Sequence, residues 1–493
     1  MPRFLIRVLP LAALLAAALW LRGHDLARRP MHADEANQAV KTGELLDAGR
    51  YVYDPRDHHG PTLYYAAAFT ARLRGETSLA TLSETTVRLV PVVAGVLAVL
   101  FTALLATSIT GRDQSRPSRW LPLAAAGFVA VSPPALYYSR YFIQETLLAT
   151  FTLATFVGAR AWWRTGLTRW ALAAGVAAGL MQATKASAPL FLVAAFLAAR
   201  IAGLRPTTRR PGRDLGVAMI AGLLTASLFF SSFGSNPAGL RDAFAAYLHG
   251  AERLLGPAAP PTGHEKPWNY YLHLFGWRRE HGLVWHQAPF AILAFAGAMC
   301  AWARRDRVPR ALSLYTALIA AVFSLLPYKT PWHAVHLVAP VALLAAVTLG
   351  ALSRLHTGRS VAVAFGLIVT ATLFQQAWRA SFLRPADWRN PWAYVHSSAD
   401  VLKVRALADA ARRAEPGRPI RVISDEYWPL PWYLRGLSDV GYWSETPADC
   451  DGALVIASNA LADTVRARLK RPYRESVLGL RPGVLLIVFT PEP

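Results

Sequence analysis

Eleven apolar runs, separated by short polar or basic loops, limit what this chain can fold into. Each run is long enough, or nearly long enough, to cross about 30 Å of hydrocarbon as a helix. Of all residues 54% are hydrophobic and only 17% are charged, a balance typical of membrane proteins. The sequence therefore predicts a polytopic α-helical membrane protein with about 11 transmembrane helices. The runs lie near residues 4–21, 87–109, 120–136, 146–163, 170–186, 188–203, 215–233, 287–303, 311–327, 333–351 and 360–377.

The basic residues set the expected orientation. The chain has 52 lysines and arginines against 30 acids, a net charge of +22. On a soluble protein this surplus would suggest a nucleic-acid-binding face, but here it lies between apolar runs, as the positive-inside rule describes. We therefore expect no nucleic-acid partner and predict a protein of the cell membrane, with the N-terminus cytoplasmic and the C-terminus outside. The basic loops lie near residues 110–119, 164–169, 204–213, 304–310 and 354–359.

The chain changes character after the last apolar run. Three β-branched segments there look like strands, and residues 399–414 have helical periodicity. We predict a transmembrane domain, residues 1–378, with an extracytoplasmic first loop at 23–86, and a small extracytoplasmic α/β domain, residues 379–493. The two cysteines, Cys300 and Cys450, can form neither a disulfide framework nor a cysteine zinc site. The strand-like segments are residues 420–424, 453–457 and 483–490.

Two adjacent carboxylates, Asp34 and Glu35, follow the first apolar run. Near the bilayer surface such a pair is costly to desolvate and could supply a general base that deprotonates an acceptor hydroxyl. The alternative is structural. Residues 36–46 read as an amphipathic helix, so the acids could belong to its N-terminal cap and first turn.

The second outer loop places Glu145 at the mouth of the next apolar run, with Tyr138 and Arg140 before it. An acid at that depth indicates a functional site. A surface ion pair between Arg140 and Glu145, or an interfacial belt of tyrosines, is the simpler interpretation.

Histidines and lysines supply further candidates for substrate binding. His58 and His59 could bind a divalent metal together with Asp34 or Glu145, although solvated loop histidines are the simpler interpretation. No cofactor is certain. Two lysines interrupt apolar sequence on the predicted outer side, where each could hold a lipid phosphate or reach the interface by snorkelling. They are Lys185 and Lys329, and His333 follows the second of them.

Aromatic residues mark the C-terminal domain directly after a predicted strand. Trp428 and Trp432 could stack on sugar rings or position an acceptor. The alternative is a rigid packed turn at the membrane rim, since Pro429 and Pro431 stand between and beside them.

In their order and sidedness these motifs resemble the GT-C membrane glycosyltransferases. The acid pair in the first outer loop, Glu145 in the second and the Lys-x-Pro-Trp segment at 329–332 are similar to glycosyltransferase family 39, the protein O-mannosyltransferases and lipid A aminoarabinose transferases. Within that superfamily, residues 59–65, 390–396 and 425–435 look like a prokaryotic family described as flippase-activity-associated.

The resemblance implies an inverting transferase whose donor is a sugar on a polyprenyl phosphate in the outer leaflet. Asp34 would then be the catalytic base towards the acceptor, with Glu35 in support. Glu145 would help to organise the site, and Arg140 and Lys329 would face the donor phosphate. The acceptor would be an extracytoplasmic protein, lipid or glycan. Relatives often have Asp where this chain has Glu145.

Two other functions compete with glycosyl transfer. A flippase, or a flippase-associated component, would handle lipid-linked sugars without transferring them. Transporters often show repeated halves and acids at the membrane midplane, and the sequence has neither pattern. A non-catalytic scaffold that presents the C-terminal domain is the third hypothesis.

Overall fold

The computed structural model describes residues 5–56, 59–109, 120–208, 210–255 and 263–492. The chain forms two compact units. The helical unit comprises Met1–His24, Arg50–Ala66 and Arg88–Leu383, and the sheet unit comprises Asp25–Gly49, Ala67–Val87 and Arg384–Pro493.

Helices make up most of the chain before residue 384, and each predicted apolar run contains one. The prediction of a largely helical membrane protein is confirmed. In chain order these helices are α1 (Leu5–Gly23), α2 (Ala33–Ala48), α3 (Thr62–Leu73), α4 (Glu84–Ile109), α5 (Trp120–Val131), α6 (Pro133–Tyr138), α7 (Gln144–Thr165), α8 (Thr168–Gln182), α9 (Ala188–Ile201), α10 (Pro211–Phe230), α11 (Ala238–Leu255), α12 (Tyr270–Phe275), α13 (Ala288–Ala303), α14 (Arg307–Leu325), α15 (Val335–Leu352) and α16 (Gly358–Trp378).

Length and apolar composition allow five of the described helices to cross a membrane, and four further apolar helices are shorter. The chain is therefore a multi-pass membrane protein. The number of about 11 spans stays a prediction, as does the orientation of the termini. The five long segments are Glu84–Ile109, Pro211–Phe230, Arg307–Leu325, Pro331–Leu352 and Gly358–Leu383, the last of which continues α16 through a π-helical turn.

Small residues let the membrane helices approach closely. A Cβ atom on Gly175 of α8 would lie 2.2 Å from the Ala218 carbonyl oxygen of α10. One on Gly179 would lie 2.4 Å from the carbonyl oxygen of Gly222. Since lipid tails are as apolar as side chains, such close backbone contact supplies much of the attraction between helices in a bilayer.

The sheet unit contains a mixed five-stranded sheet whose strands lie in the order β4 (Val440–Trp443), β3 (Ile420–Ile423), β5 (Leu454–Ser458), β7 (Val484–Pro491) and β6 (Tyr473–Arg481). Strand β3 runs parallel to β4 and β5, whereas β7 runs antiparallel to β5 and β6. The prediction of a small α/β domain is confirmed. In chain order the remaining elements are the hairpin strands β1 (Trp277–Glu280) and β2 (Leu283–His286) of the helical unit, then α17 (Val404–Ala414), β3 (Ile420–Ile423), α18 (Leu430–Tyr433), β4 (Val440–Trp443), β5 (Leu454–Ser458), α19 (Ala462–Arg468), β6 (Tyr473–Arg481) and β7 (Val484–Pro491).

The division of the chain differs from the predicted one in the first loop. The boundary near residue 379 lies close to the observed Leu383, but Asp25–Gly49 and Ala67–Val87 group with the sheet unit. Helix α2 packs against the 3-10 turn Leu79–Thr81 so closely that a Cβ on Gly43 would lie 2.5 Å from the Leu79 side chain. These contacts join segments far apart in the sequence, which local pattern cannot predict.

Candidate active site

Helix α2 begins with an acidic first turn in the sheet unit. His32 is the N-cap residue, and its Nδ1 accepts a hydrogen bond of 3.0 Å from the Asp34 amide. The Glu35 carboxylate accepts in return from the His32 amide at 3.2 Å. This reciprocal capping satisfies two amides that the first helical turn leaves open. The acid pair therefore does belong to the cap and first turn of a helix, as the structural interpretation predicts, and His32 is the capping residue.

The two carboxylates nevertheless have different surroundings. Glu35 is fully buried and pairs with the Arg29 guanidinium at 3.2 Å. The Asp34 side chain is 48% exposed, with its carboxylate 3.8 Å from His32 Nδ1. Glu35 thus holds the start of the helix, whereas Asp34 offers an accessible carboxylate at a helix N-terminus, where negative charge is favoured.

Two histidine rings lie beside this acid pair. The centroids of His32 and His396 are 5.7 Å apart in an edge-to-face arrangement. Burial lowers the pKa of His32 below its usual 6.5, although Asp34 and Glu35 act in the opposite direction. Burial also lowers the pKa of His396 to well below that value. Both rings are therefore neutral near pH 7, which leaves His32 Nδ1 able to accept its bond from Asp34.

The C-terminal aromatic segment supports α2. The Tyr433 hydroxyl accepts from the Met31 amide at 2.8 Å, directly before the N-cap. Trp432 is fully buried, its Nε1 donates to Glu84 at 2.7 Å, and the Arg435 guanidinium lies 3.9 Å from its ring centroid. The expected stacking of Trp432 on a sugar is corrected, because the ring has no exposed face.

Trp428 keeps a partly exposed ring, 6.0 Å from the ring of Tyr427. Substrate binding by Trp428 stays a prediction.

In the helical unit, Glu145 occupies the first turn of α7 and pairs with Lys185. Lys185 Nζ lies 2.5 Å from Glu145 Oε1, and the two side chains are 15% and 3% exposed. A buried carboxylate is tolerated only with such a partner. Glu145 and Lys185, which the sequence indicates as separate candidates, thus form one ion pair.

The segment after the paired histidines is fixed beside Lys185. The Gly60 amide donates to the Thr184 carbonyl at 3.1 Å, and the hydroxyls of Thr62 and Thr184 are 2.7 Å apart. A Cβ on Gly60 would lie 2.2 Å from the Ala183 carbonyl oxygen, so glycine is needed for this approach. His59 is exposed, and His58 lies outside the described residues.

Lys329 and His333 belong to the turn that precedes α15. Lys329 is 2% exposed, donates from its ammonium to the Leu326 carbonyl, and has its pKa lowered by burial. His333 Nδ1 lies 3.2 Å from the Tyr271 hydroxyl, and its ring stacks on Phe323 at 5.1 Å. Lys185 and His59 lie near enough to act electrostatically on His333. These groups therefore cluster at the end of the bundle where α7 begins.

Arg140 and Tyr138 have structural contacts. The Arg140 guanidinium donates to the carbonyls of Leu21, Arg22 and His24 at 3.1, 2.9 and 2.6 Å, and so caps the C-terminal end of α1. It also lies 4.5 Å from the ring centroid of Phe382. Tyr138 is buried, and its carbonyl accepts from Thr146 at 2.9 Å. The role of Arg140 towards a donor phosphate stays a prediction.

The sequence interpretation missed Arg29, His32 and His396. Histidine is an uncommon N-cap, so the reciprocal cap could not be recognised from residue type. Among the described residues no group of three or more His, Cys, Asp or Glu side chains could hold a metal ion. A divalent metal stays a prediction.

The comparisons with known proteins agree with this architecture. The family model for dolichyl-phosphate-mannose-protein mannosyltransferase matches residues 58–230, about a third of the chain. ArnT from Cupriavidus metallidurans in the apo state has a TM-score of 0.63 at 15% identity, over 98% of this chain and 97% of ArnT. The same protein bound to undecaprenyl phosphate has a TM-score of 0.62 at 16% identity, over the same shares.

A third solved structure is archaeal. The oligosaccharyltransferase AglB from Archaeoglobus fulgidus, in complex with an inhibitory peptide and a dolichol-phosphate, has a TM-score of 0.59 at 13% identity, over 92% of this chain and 70% of AglB. A search of curated proteins finds no significant match. The chain has the GT-C fold.

The resemblance of this chain to the family 39 glycosyltransferases is thereby confirmed, together with its helical membrane part and small C-terminal sheet domain. The closer likeness to the flippase-activity-associated family has no support from these matches and stays a prediction.

Proposed function

We propose that this protein is an inverting glycosyltransferase that moves a sugar from a polyprenyl-phosphate donor to an acceptor outside the cytoplasm. Asp34 is the general base. The observation that carries the proposal is the contrast within the acid pair: Glu35 is buried against Arg29, while the Asp34 carboxylate is accessible at the N-terminus of α2.

This contrast suits general base catalysis. A base must reach the proton of the acceptor hydroxyl, so it must be exposed, and its position must be fixed. The cap by His32, the Arg29–Glu35 pair and the bond from Met31 to Tyr433 fix the backbone that carries Asp34. Attack by the activated hydroxyl opposite the departing phosphate inverts the anomeric carbon, as in inverting glycosidases. The hydroxyl proton goes to Asp34, and the bond electrons leave with the phosphate.

The cations of the helical unit suit the other half of the reaction. A departing lipid phosphate gains negative charge, which fixed cations stabilise. Lys185 is held by Glu145 at 2.5 Å, and its side chain is partly exposed. We assign Lys185 to the donor phosphate and Glu145 to its orientation. Lys329 is a second cation near the same end, at present directed to the Leu326 carbonyl.

The solved relatives support the class of donor. ArnT was solved with undecaprenyl phosphate and AglB with a dolichol-phosphate, both polyprenyl phosphates. AglB was also solved with an inhibitory peptide, so the fold is compatible with a peptide ligand in addition to a polyprenyl phosphate.

The test is a transfer assay with full-length protein in nanodiscs. A panel of radiolabelled polyprenyl-phosphate sugars is supplied with cell-envelope acceptor, with and without divalent metal. Wild-type protein should transfer sugar or hydrolyse one donor of the panel. Asp34→Asn should slow turnover by about 10²–10⁴-fold and leave donor binding intact.

The phosphate half is tested separately. Lys185→Met should weaken donor binding, whereas Lys470→Met, which changes an exposed lysine of the sheet unit, should not. Wild-type turnover in Asp34→Asn would refute the role of the base. Donor binding without turnover across the whole panel would favour the flippase-associated function instead.

A further inference from the structure

A basic cleft lies at the opposite end of the helical unit from Glu145. It has a volume of about 390 Å³, within the usual range of ligand pockets of about 300–1,000 Å³. Arginines from three segments converge on it: the last turns of α7, the loop after α9 and the first residue of α14. The lining side chains that matter are Arg160, Arg164, Arg205 and Arg307, with Trp163 and Thr207.

The position follows from the geometry of α7. Glu145 stands in the first turn of this helix and Arg160 fifteen residues later, so the two are about 22 Å apart along the axis at 1.5 Å per residue. Trp163 lies at the same level as the arginines. Tryptophan is enriched at the head-group level of membranes, so the cleft opens where lipid head groups lie.

The charged side chains that line the described part of the cleft are all arginines. No aspartate or glutamate lines it among the residues that the structure describes. Two acids of the same end have other partners: Asp214 accepts from Trp162 and Thr168 at 3.0 and 2.8 Å, and Asp306 caps α14 through the Val308 amide. Arg164, Arg205 and Arg307 are exposed, whereas Arg160 is half-buried and donates to the Ser108 carbonyl at 3.4 Å.

We infer that this cleft binds a phosphate-bearing group, and that its main ligand is the head group of an anionic phospholipid in the leaflet opposite Glu145. Guanidinium groups match the geometry of phosphate oxygens through paired hydrogen bonds. Basic pockets between transmembrane helices are known to bind anionic lipid head groups. The site is separate from the proposed transfer reaction and does not depend on it.

The experiment measures binding of phosphatidylglycerol to full-length protein in phosphatidylcholine nanodiscs by native mass spectrometry. The cleft variant is Arg164→Gln with Arg205→Gln and Arg307→Gln. The control variant is Arg304→Gln with Arg354→Gln and Arg359→Gln, which removes the same charge from exposed arginines outside the cleft. Each arginine that contacts the head group contributes about fivefold, so the loss of three from the cleft should weaken binding on the order of 100-fold.

The control variant should retain binding near the wild-type value, because its arginines do not line the cleft. If the triple cleft variant does not fold, Arg164→Gln and Arg205→Gln alone should each weaken binding about fivefold. Competition with inorganic diphosphate distinguishes a phospholipid head group from a soluble phosphate compound as the ligand. Binding that diphosphate does not displace supports the phospholipid, and displacement supports a soluble phosphate compound in the same cleft. Equal weakening in the two triple variants, or none in either, would overturn the inference.

Discussion

Glu35→Gln is the substitution that best separates the two members of the acid pair. Gln has nearly the same shape as Glu, so the change removes charge from a fully buried position and leaves its packing unchanged. The lost interaction is the ion pair with Arg29 at 3.2 Å, in which the side chains are 8% and 0% exposed. Breaking one side of a buried pair typically costs about 3–5 kcal/mol.

The lower end of that range applies here, because the new amide oxygen can still accept from the His32 amide. A loss of about 3 kcal/mol in the local stability of α2 is on the order of a 100-fold change in its opening equilibrium. Hydrogen exchange of the amides in Ala33–Ala48, followed by mass spectrometry, measures this opening directly. Exchange there should accelerate by that factor.

Asp34→Asn is the matched control, since it makes the same chemical change at the next residue. Its side chain is half exposed, and it loses only the attraction of a charge to the helix N-terminus, about 0.3–1 kcal/mol. Exchange should accelerate by less than about fivefold. Equal acceleration in the two variants would refute the assignment of Glu35 to structure and Asp34 to chemistry.

Three further predictions concern the contacts that hold the start of α2 and the segment at Gly60 beside Lys185. Tyr433→Phe leaves the amide before the α2 cap without its hydroxyl partner and should cost about 1–3 kcal/mol, measured by exchange in α2. Gly60→Ala should lower the free energy of unfolding by about 1–3 kcal/mol, measured by thermal denaturation, because the new Cβ would meet the Ala183 carbonyl. Gly127→Ala is the control and should have no such effect, because a Cβ there would meet no other atom within 4 Å. Burial lowers the pKa of His32 in the folded protein. Its contribution to the free energy of unfolding is therefore complete above about pH 6.5 and decreases at lower pH, where the unfolded chain takes up a proton more readily. Protease cleavage within α2 should accelerate at pH 5, and less so in His32→Asn.

The strands that the sequence predicted are the interior ones. Strands β3, β5 and β7 are rich in Val, Ile and Leu, and they occupy the middle of the sheet. The missed strands β4 and β6 are the two edges. Strand β6 carries Arg474 and Glu475, and β4 contains Gly441. Edge strands carry charges and other features that oppose further pairing, so they lack the apolar signal that identifies a strand.

The candidate residues were found individually, but their partners were not. The sequence indicates Lys185 and Glu145 separately, yet their ion pair joins positions 40 residues apart, one in the loop between α8 and α9 and the other in the first turn of α7. Trp432 was expected to meet a substrate, and its partner Glu84 lies 348 residues away. Residue type and spacing identify chemically useful groups. Burial and pairing depend on the tertiary fold, which joins segments that no local pattern connects.

The most direct test of the account is the rate of a single turnover with donor already bound. Wild-type protein, Asp34→Asn and Glu44→Gln, an exposed acid of the same helix paired with Lys41, are loaded with the active donor in nanodiscs and mixed with acceptor. The account predicts that Asp34→Asn binds donor normally and transfers sugar about 10²–10⁴ times more slowly, while Glu44→Gln transfers at the wild-type rate. A transfer rate for Asp34→Asn within a few-fold of wild type would contradict the central claim.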